Sequence, residues 1–245
     1  MKLNRLSLLP IILLLLVCIE KTSAFEVTQY SGINRIEFNN NQYNKDFVGN
    51  GFLLNHKGKT YALTVKHTLL EAKTPKMQFI DIKDHVKSWQ IHPNKKPQHS
   101  VQLGKLLNSD ANEPIDMKIL EKDWLVFEVI SNNSNLVPLT LRESDIQKGE
   151  QLTAYGCSYA NKMTCSQDQY VGHFVSSESN NLRISLPNLE LNKLRGLSGS
   201  PVLDSKGRLV GIVSNILRSK DGDGFDFAPA NLNYLTSILN QVKNE

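Results

Sequence analysis

Ser198 stands between glycines in the run Arg195-Gly196-Leu197-Ser198-Gly199-Ser200-Pro201, which leads through Val202 and Leu203 into a turn at 204–207 and a strand at 208–214. A serine on such a turn exposes its hydroxyl, because glycine permits backbone conformations that other residues avoid. The N–H groups of Gly196 and Ser198 could then face one developing negative oxygen, which is what an oxyanion hole does. Taken alone, Gly-Leu-Ser-Gly would read as an ordinary turn; a base and an orienting acid in suitable places would turn it into chemistry. His67 ends the run Tyr61-Ala62-Leu63-Thr64-Val65-Lys66, so a buried strand would deliver an imidazole to a rigid position against a nucleophile. The other five histidines, His56, His85, His92, His99 and His173, sit among polar or turn residues and read as surface side chains. Asp123 precedes the apolar run Trp124-Leu125-Val126-Phe127. Its carboxylate would lie at a strand start, able to orient a neutral imidazole and stabilise the imidazolium. Asp116 is the rival acid, and spacing alone leaves both open.

The elements that must position these residues read as strands. From Phe25 to about Pro229 the chain consists of short apolar runs broken by Asn-Asn and Lys-Gly turns, with no sustained helical period. Many short strands at this spacing indicate barrels or a sandwich rather than alternating strands and helices. Only the end looks helical: Leu232, Leu235, Ile238, Leu239 and Val242 recur at three- and four-residue steps behind Asn231, a candidate N-cap. The lysine-rich stretch from Glu71 to Glu113 is expected to be solvated hairpins and loops. A seam between two lobes is expected at Asn132 to Val137.

Composition bounds the context. With 40% hydrophobic and 21% charged residues in 245, the chain should fold around a sizeable core. The apolar block Leu8 to Val17, behind Lys2 and Arg5, is about half of the roughly 20 residues a transmembrane helix needs. Followed by Thr22-Ser23-Ala24, it reads as a signal peptide over 1–24. Cutting there leaves 221 residues and lowers the net charge from +4 to +2, too little basic excess for a nucleic-acid face. The same export signal points to an oxidising compartment, secreted or periplasmic. There the two remaining cysteines, Cys157 and Cys165, should close a short loop as a disulfide. No companion His or Cys stands at zinc-ligand spacing, and the serine chemistry calls for no metal or other cofactor.

These residues resemble a known family. The order His67, Asp123, Ser198 is similar to that of chymotrypsin-like (trypsin-like) serine proteases, with the nearest likeness to the Htr-type protease domain. Gly49-Asn50-Gly51-Phe52 resembles the family's Gly-Ser/Thr-Gly-Phe, and Leu63-Thr64-Val65-Lys66-His67 its Val-Thr-Ala-Ala-His. Lys122-Asp123-Trp124-Leu125-Val126-Phe127-Glu128-Val129 resembles Thr-Asp-Leu-Ala-Val-Leu-Lys-Val, which favours Asp123 over Asp116. Ser144 to Glu150 resembles the turn opening the second barrel, and Gly224-Phe225-Asp226-Phe227-Ala228-Pro229 the family's Gly-Ile-Gly-Phe-Ala-Ile-Pro. The resemblance implies an all-β fold of two six-stranded antiparallel barrels, about 25–135 and 136–230, with a C-terminal helix at about 231–243. His67 and Asp123 would come from the first barrel and Ser198 from the second. Ser214 would stand near Asp123, with a backbone that pairs with extended substrate. Asn192 and Ile216 would lie at the primary specificity pocket, Asn192 near its base and Ile216 narrowing it.

Departures from the pattern are informative too. Leu197 takes the place of the aspartate that in trypsin pairs with a new N-terminus, so activation by that ion pair is not expected. Ser200 replaces a glycine, as in glutamyl endopeptidases. The chain leaves no room for the PDZ domain of Htr enzymes, and Phe25 to Phe47 shows no clear aromatic oligomerisation arm. A lipase-type hydrolase would want glycine where Ser200 stands and would place its serine before the acid and the histidine. The expectation is an exported serine endopeptidase acting on protein or peptide substrates through an acyl-enzyme, binding no nucleic acid and keeping no membrane span once the leader is removed. The alternative is a catalytically silent protease-like binding protein.

Overall fold

The apolar runs that mark the strands are continuous rather than alternating because several strands bury both faces. In a strand successive side chains point to opposite sides. Leu53, Ala62, Leu125 and Phe127 fill the interior of the first barrel, while their neighbours Phe52, Leu54, Leu63, Val65, Trp124 and Val126 face a second core shared with Leu203, Leu209 and Ile212. A strand dry on both sides reads as an unbroken hydrophobic run.

The computed structural model describes residues 28–187, 190–220 and 224–242. The leader expected at 1–24 lies outside them. In chain order the strands are β1 (Gly32–Phe38), β2 (Asn50–His56), β3 (Lys59–Thr64), β4 (Phe79–Ile80), β5 (Val86–His92), β6 (Val101–Leu106), β7 (Asp110–Pro114), β8 (Leu125–Asn132), β9 (Gln151–Gly156), β10 (Asp168–Glu178), β11 (Asn181–Ser185), β12 (Pro201–Leu203), β13 (Leu209–Arg218) and β14 (Phe225–Asn231). The α-helices are α1 (Thr68–Ala72), α2 (Leu191–Leu194) and α3 (Leu232–Gln241). Two closed six-stranded barrels result, ordered β1-β2-β3-β8-β6-β5 and β10-β11-β14-β13-β12-β9, with β4 and β7 as a separate two-stranded sheet. Every ladder in both barrels is antiparallel. This is the chymotrypsin-like architecture that the motifs imply.

Local chemistry explains the joints. Lys57 and Gly58 both have positive φ, 51° and 79°, in the two-residue loop between β2 and β3, the backbone that matches the twist of a tight hairpin. Asn231 caps α3, its side chain accepting from Asn233 N–H at 3.1 Å. The helix buries Leu235, Ile238 and Leu239 in the core between the barrels, and Trp124 Nε1 donates to Asn231 O at 3.0 Å. No helix among the described residues is long and apolar enough to cross a membrane.

Two expectations need correction. The stretch from Glu71 to Glu113 is not merely solvated loops, for it holds β5 and β6, two strands of the first barrel, with Trp89, Ile91, Val101 and Leu103 buried. Exposed lysines interleaved with those residues hide the alternation. His92 is not a surface side chain either. It is 4% exposed at the end of β5, where it pairs with Ile33, and burial pushes its imidazole below its ordinary value.

Candidate active site

The first barrel supplies two side chains from the ends of packed strands. Ala62, Leu63, Thr64, Val65 and Lys66 are all fully buried, so the chain reaching His67 has no freedom to wander. The backbone N–H of His67 donates to Asp123 Oδ1 at 2.9 Å, which fixes the start of α1 against the residue preceding Trp124. Asp123 is itself fully buried. Its Oδ2 lies 2.6 Å from His67 Nδ1 and accepts from Ser214 Oγ of β13. A carboxylate among three donors acts as acceptor only, so the proton belongs on Nδ1. His67 Nε2 is then left to accept from Ser198 Oγ, 2.6 Å away. Asp116 stands elsewhere: it is exposed, and its side chain caps the 3₁₀ turn 117–122 by accepting from Lys118 N–H.

The second barrel supplies its part from loops. Gly196 and Gly199 take φ values of 92° and 84°, where a side chain would be strained. A Cβ on Gly199 would fall 2.0 Å from Asn50 O, and one on Gly196 2.6 Å from the Tyr159 ring. Both glycines are required by close approach as well as by torsion. Tyr159 N–H donates to Arg195 O at 2.8 Å. In a trans peptide the N–H points opposite to the carbonyl, and no peptide among the described residues is cis, so Gly196 N–H is directed away from the Tyr159 loop. Among the described residues neither Gly196 N–H nor Ser198 N–H has an acceptor.

That neighbouring loop is closed by a disulfide between Cys157 and Cys165, the pair anticipated from the cysteine count. It rests on the first barrel. Asn94 Nδ2 donates to Cys165 O at 2.7 Å and to Lys162 O at 2.9 Å, and Phe47 meets the Tyr159 ring edge-on with centroids 4.9 Å apart. Burial, together with the Glu71 charge, pushes the Tyr159 hydroxyl above its ordinary value, so the ring stays neutral.

Two hollows meet at Arg195 and Ser198. One, of about 160 Å³, is lined by His67, Glu71, Tyr159 and Gly196 among others. The other, of about 240 Å³, has walls of Leu194, Val213, Ile216 and Phe227, with Ser214 and Asn215 beside them. Ile216, which the resemblance assigned to the specificity pocket, lines this hollow. Asn192 does not: it is exposed on α2, whereas Leu194, two residues on, lines it. The helical turn of α2 carries Asn192 outward.

Three residues near the site escaped sequence reasoning. Lys66 Nζ, with a fully buried side chain, pairs with both carboxylate oxygens of Glu113 at 2.7 Å and lies 4.8 Å from the Tyr234 ring centre. Asn50 of β2 bonds to both loops of the second barrel that carry site backbone. Tyr159 holds the carbonyl before Gly196. The signal for Asn50 was its place between two glycines, where the family pattern shows Ser or Thr.

The trypsin-like peptidase domain model matches residues 49–212. The chain therefore belongs to the trypsin-like peptidase family and is a serine peptidase by class, a hydrolase with peptide substrates. Solved structures with the same fold include a Glu endopeptidase in complex with MPD, at 15% identity and TM-score 0.58, covering 88% of this chain and 92% of that one. A thermostable serine protease, AL20, from an extremophilic microorganism aligns at 14% identity and TM-score 0.58 over 87% of this chain and 96% of the other. The serine endoprotease from Yersinia pestis aligns at 16% identity and TM-score 0.53 over 87% of this chain but only 62% of that protein. No curated protein sequence matches the chain significantly.

Proposed function

We propose that the protein is an exported serine endopeptidase in which Ser198 is the nucleophile, His67 the general base and then acid, and Asp123 the residue that orients the imidazole. The observation that carries this reading is the unbroken chain Ser214 Oγ, Asp123 Oδ2, His67 Nδ1, His67 Nε2, Ser198 Oγ. Ser198 Oγ attacks the peptide carbonyl carbon while its proton passes to His67 Nε2. The carbonyl oxygen becomes an anion facing the unpartnered N–H groups of Gly196 and Ser198. The C–N bond then breaks, the leaving amine takes the proton from Nε2, and an ester to Ser198 remains. Water enters, gives a proton to Nε2 and attacks the ester, and that proton returns to Ser198 Oγ as the acid product leaves.

Among the described residues, the hollow walled by Leu194, Val213, Ile216 and Phe227 is lined by no charged side chain other than Arg195, which is exposed. It suits a small or apolar residue before the cut. The leader composition of residues 1–24 and the disulfide support export, secreted or periplasmic. An exported protein whose first residue is Phe25 is the expected outcome of N-terminal sequencing.

The direct test uses the mature chain with labelled casein, a peptide library and an active-site phosphonate. Ser198 should be labelled, cuts should follow small or apolar residues, and Ser198→Ala should abolish both labelling and turnover. Unlabelled Ser198, with casein turnover unchanged in Ser198→Ala, would overturn the assignment.

A further inference from the structure

Asn50 lies in β2 of the first barrel, yet its side chain is spent on the second. The residue is 1% exposed. Nδ2 donates to Gly196 O at 2.7 Å and to Cys157 O at 3.0 Å, and Oδ1 accepts from Cys157 N–H at 2.9 Å. Its backbone N–H donates to Ser198 O at 2.6 Å. Asn50 O in turn accepts from Asn34 Nδ2 at 2.6 Å and Thr64 Oγ1 at 2.7 Å, which anchors the residue in its own barrel. Gly156 makes the approach possible, since a Cβ there would lie 3.2 Å from Asn50 Cγ and 1.9 Å from Ser200 Oγ.

We propose that Asn50 is a positioning residue for peptide hydrolysis, holding the Gly196 and Ser198 N–H groups where the anionic oxygen forms. It does so by two routes. Directly, its side chain pins the carbonyl of Gly196 and its backbone N–H that of Ser198, and so the planes of the two peptides that flank the peptide carrying Ser198 N–H. Indirectly, it grips Cys157 at the root of the loop whose Tyr159 N–H holds the carbonyl before Gly196. Without the amide, Gly196 O, Cys157 O and Cys157 N–H lose buried partners, and a backbone group left unsatisfied has reason to turn toward another. Glycine at 196 imposes little resistance to such a turn. Only a side chain with two donors and one acceptor in one plane meets all three demands. Aspartate keeps the acceptor and loses both donors, and serine is too short to bridge both loops.

The inference rests on the reading of Ser198 as the acylated residue, and the experiment separates the two. Wild-type, Asn50→Ser and Asn50→Asp mature proteins are assayed for peptide hydrolysis per phosphonate-labelled site, for affinity toward a peptide boronate, and for affinity toward an uncleavable peptide of the same sequence. Losing one donor to the oxyanion typically costs about 10²- to 10³-fold in kcat, and misplacing the pair should approach that range. The expected result is a fall in kcat per labelled site of about 10²-fold, a parallel loss of boronate affinity, and KM and uncleavable-peptide affinity near wild type. Thermal melting identifies a variant that has lost only stability. Such a variant would have fewer labelled sites with unchanged kcat per site and unchanged boronate affinity, and that result would overturn the proposal. If Asn50→Asp does not fold, Asn50→Ser, the residue type common in the family at this place, decides. Wild-type protein that neither labels nor hydrolyses would overturn the catalytic reading, and this inference with it.

Discussion

The two barrels contribute to one site by different means. The first delivers His67 and Asp123 from the margins of β3 and β8, behind fully buried Val65, Lys66, Trp124 and Leu125. The second delivers Ser198 and two backbone N–H groups from an irregular loop with positive-φ glycines at 196 and 199. Strand ends are held by their own barrel. The loop is held from outside, by Asn50 across the interface and by a neighbouring loop that the Cys157–Cys165 disulfide closes. Side-chain chemistry can be fixed locally, whereas backbone N–H groups on a loop need the peptide planes themselves to be restrained, and those restraints come from elsewhere in the fold.

The largest effect should come from the strand-held half. Asp123→Asn should lower kcat by about 10⁴-fold, the scale seen when the acid of a Ser-His-Asp triad loses its charge and the imidazole tautomer is no longer enforced. Asp116→Asn should leave steady-state hydrolysis unchanged, because Asp116 only caps a 3₁₀ turn. A reversed pair of results would move the orienting acid off the margin of β8.

An intermediate effect should follow from opening the loop-held half. The sequence separation of 8 between Cys157 and Cys165 implies a disulfide contribution of about 2 to 3 kcal/mol on the chain-entropy account. The double variant Cys157→Ser, Cys165→Ser should unfold at a correspondingly lower denaturant concentration. It should also lose turnover, since Tyr159 belongs to the released loop. Unchanged midpoint and turnover would show that Asn50 and Asn94 suffice to hold it.

The smallest effect is expected where the second barrel is held by its own strands. Glu178 of β10 accepts from Arg183 of β11 at 2.8 Å and from Lys220, and these bonds hold its carboxyl at about 2, below its ordinary 4.5. A depressed carboxylate contributes stability above its unfolded value and loses it as pH falls toward the folded one. The contribution should be present above about pH 4.5 and fade toward about pH 2. The Glu178 carboxylate is partly open to solvent and Lys220 is exposed, so screening keeps it small. The urea midpoints of wild type and Glu178→Gln should differ slightly at neutral pH and converge in acid. A difference that persists at pH 2 would place its origin outside this ion pair.

The same division governs what could be read in advance. The strand character of Tyr61 to Val65 and Trp124 to Phe127 was visible because residues buried on both faces leave an unbroken apolar run, and His67 and Asp123 follow from those runs. The Asn231 cap and the stripe of Leu235, Ile238 and Leu239 were equally legible, being local. By contrast β5 and β6 were hidden, since Lys87 and Lys105 interrupt an alternation whose buried members are few. His92 looked like a turn residue and is buried because β1 lies against it. Asn192 was misplaced because a short helix, α2, redirects the chain before the serine.

The sequence by itself determined the chemistry-bearing types, their order along the chain, the disulfide pair and the all-β class, because each depends on residue identity or on neighbours within a few positions. The acid was open to two aspartates until a family resemblance favoured Asp123, and tertiary structure brought that residue to His67, chose which residues wall the hollow beside Ser198, and set what restrains the peptides around Gly196. Those outcomes depend on contacts between residues far apart in the chain, Asn50 with Gly196 and His67 with Ser198. No local pattern encodes such a contact until two closed barrels bring its partners within hydrogen-bond distance.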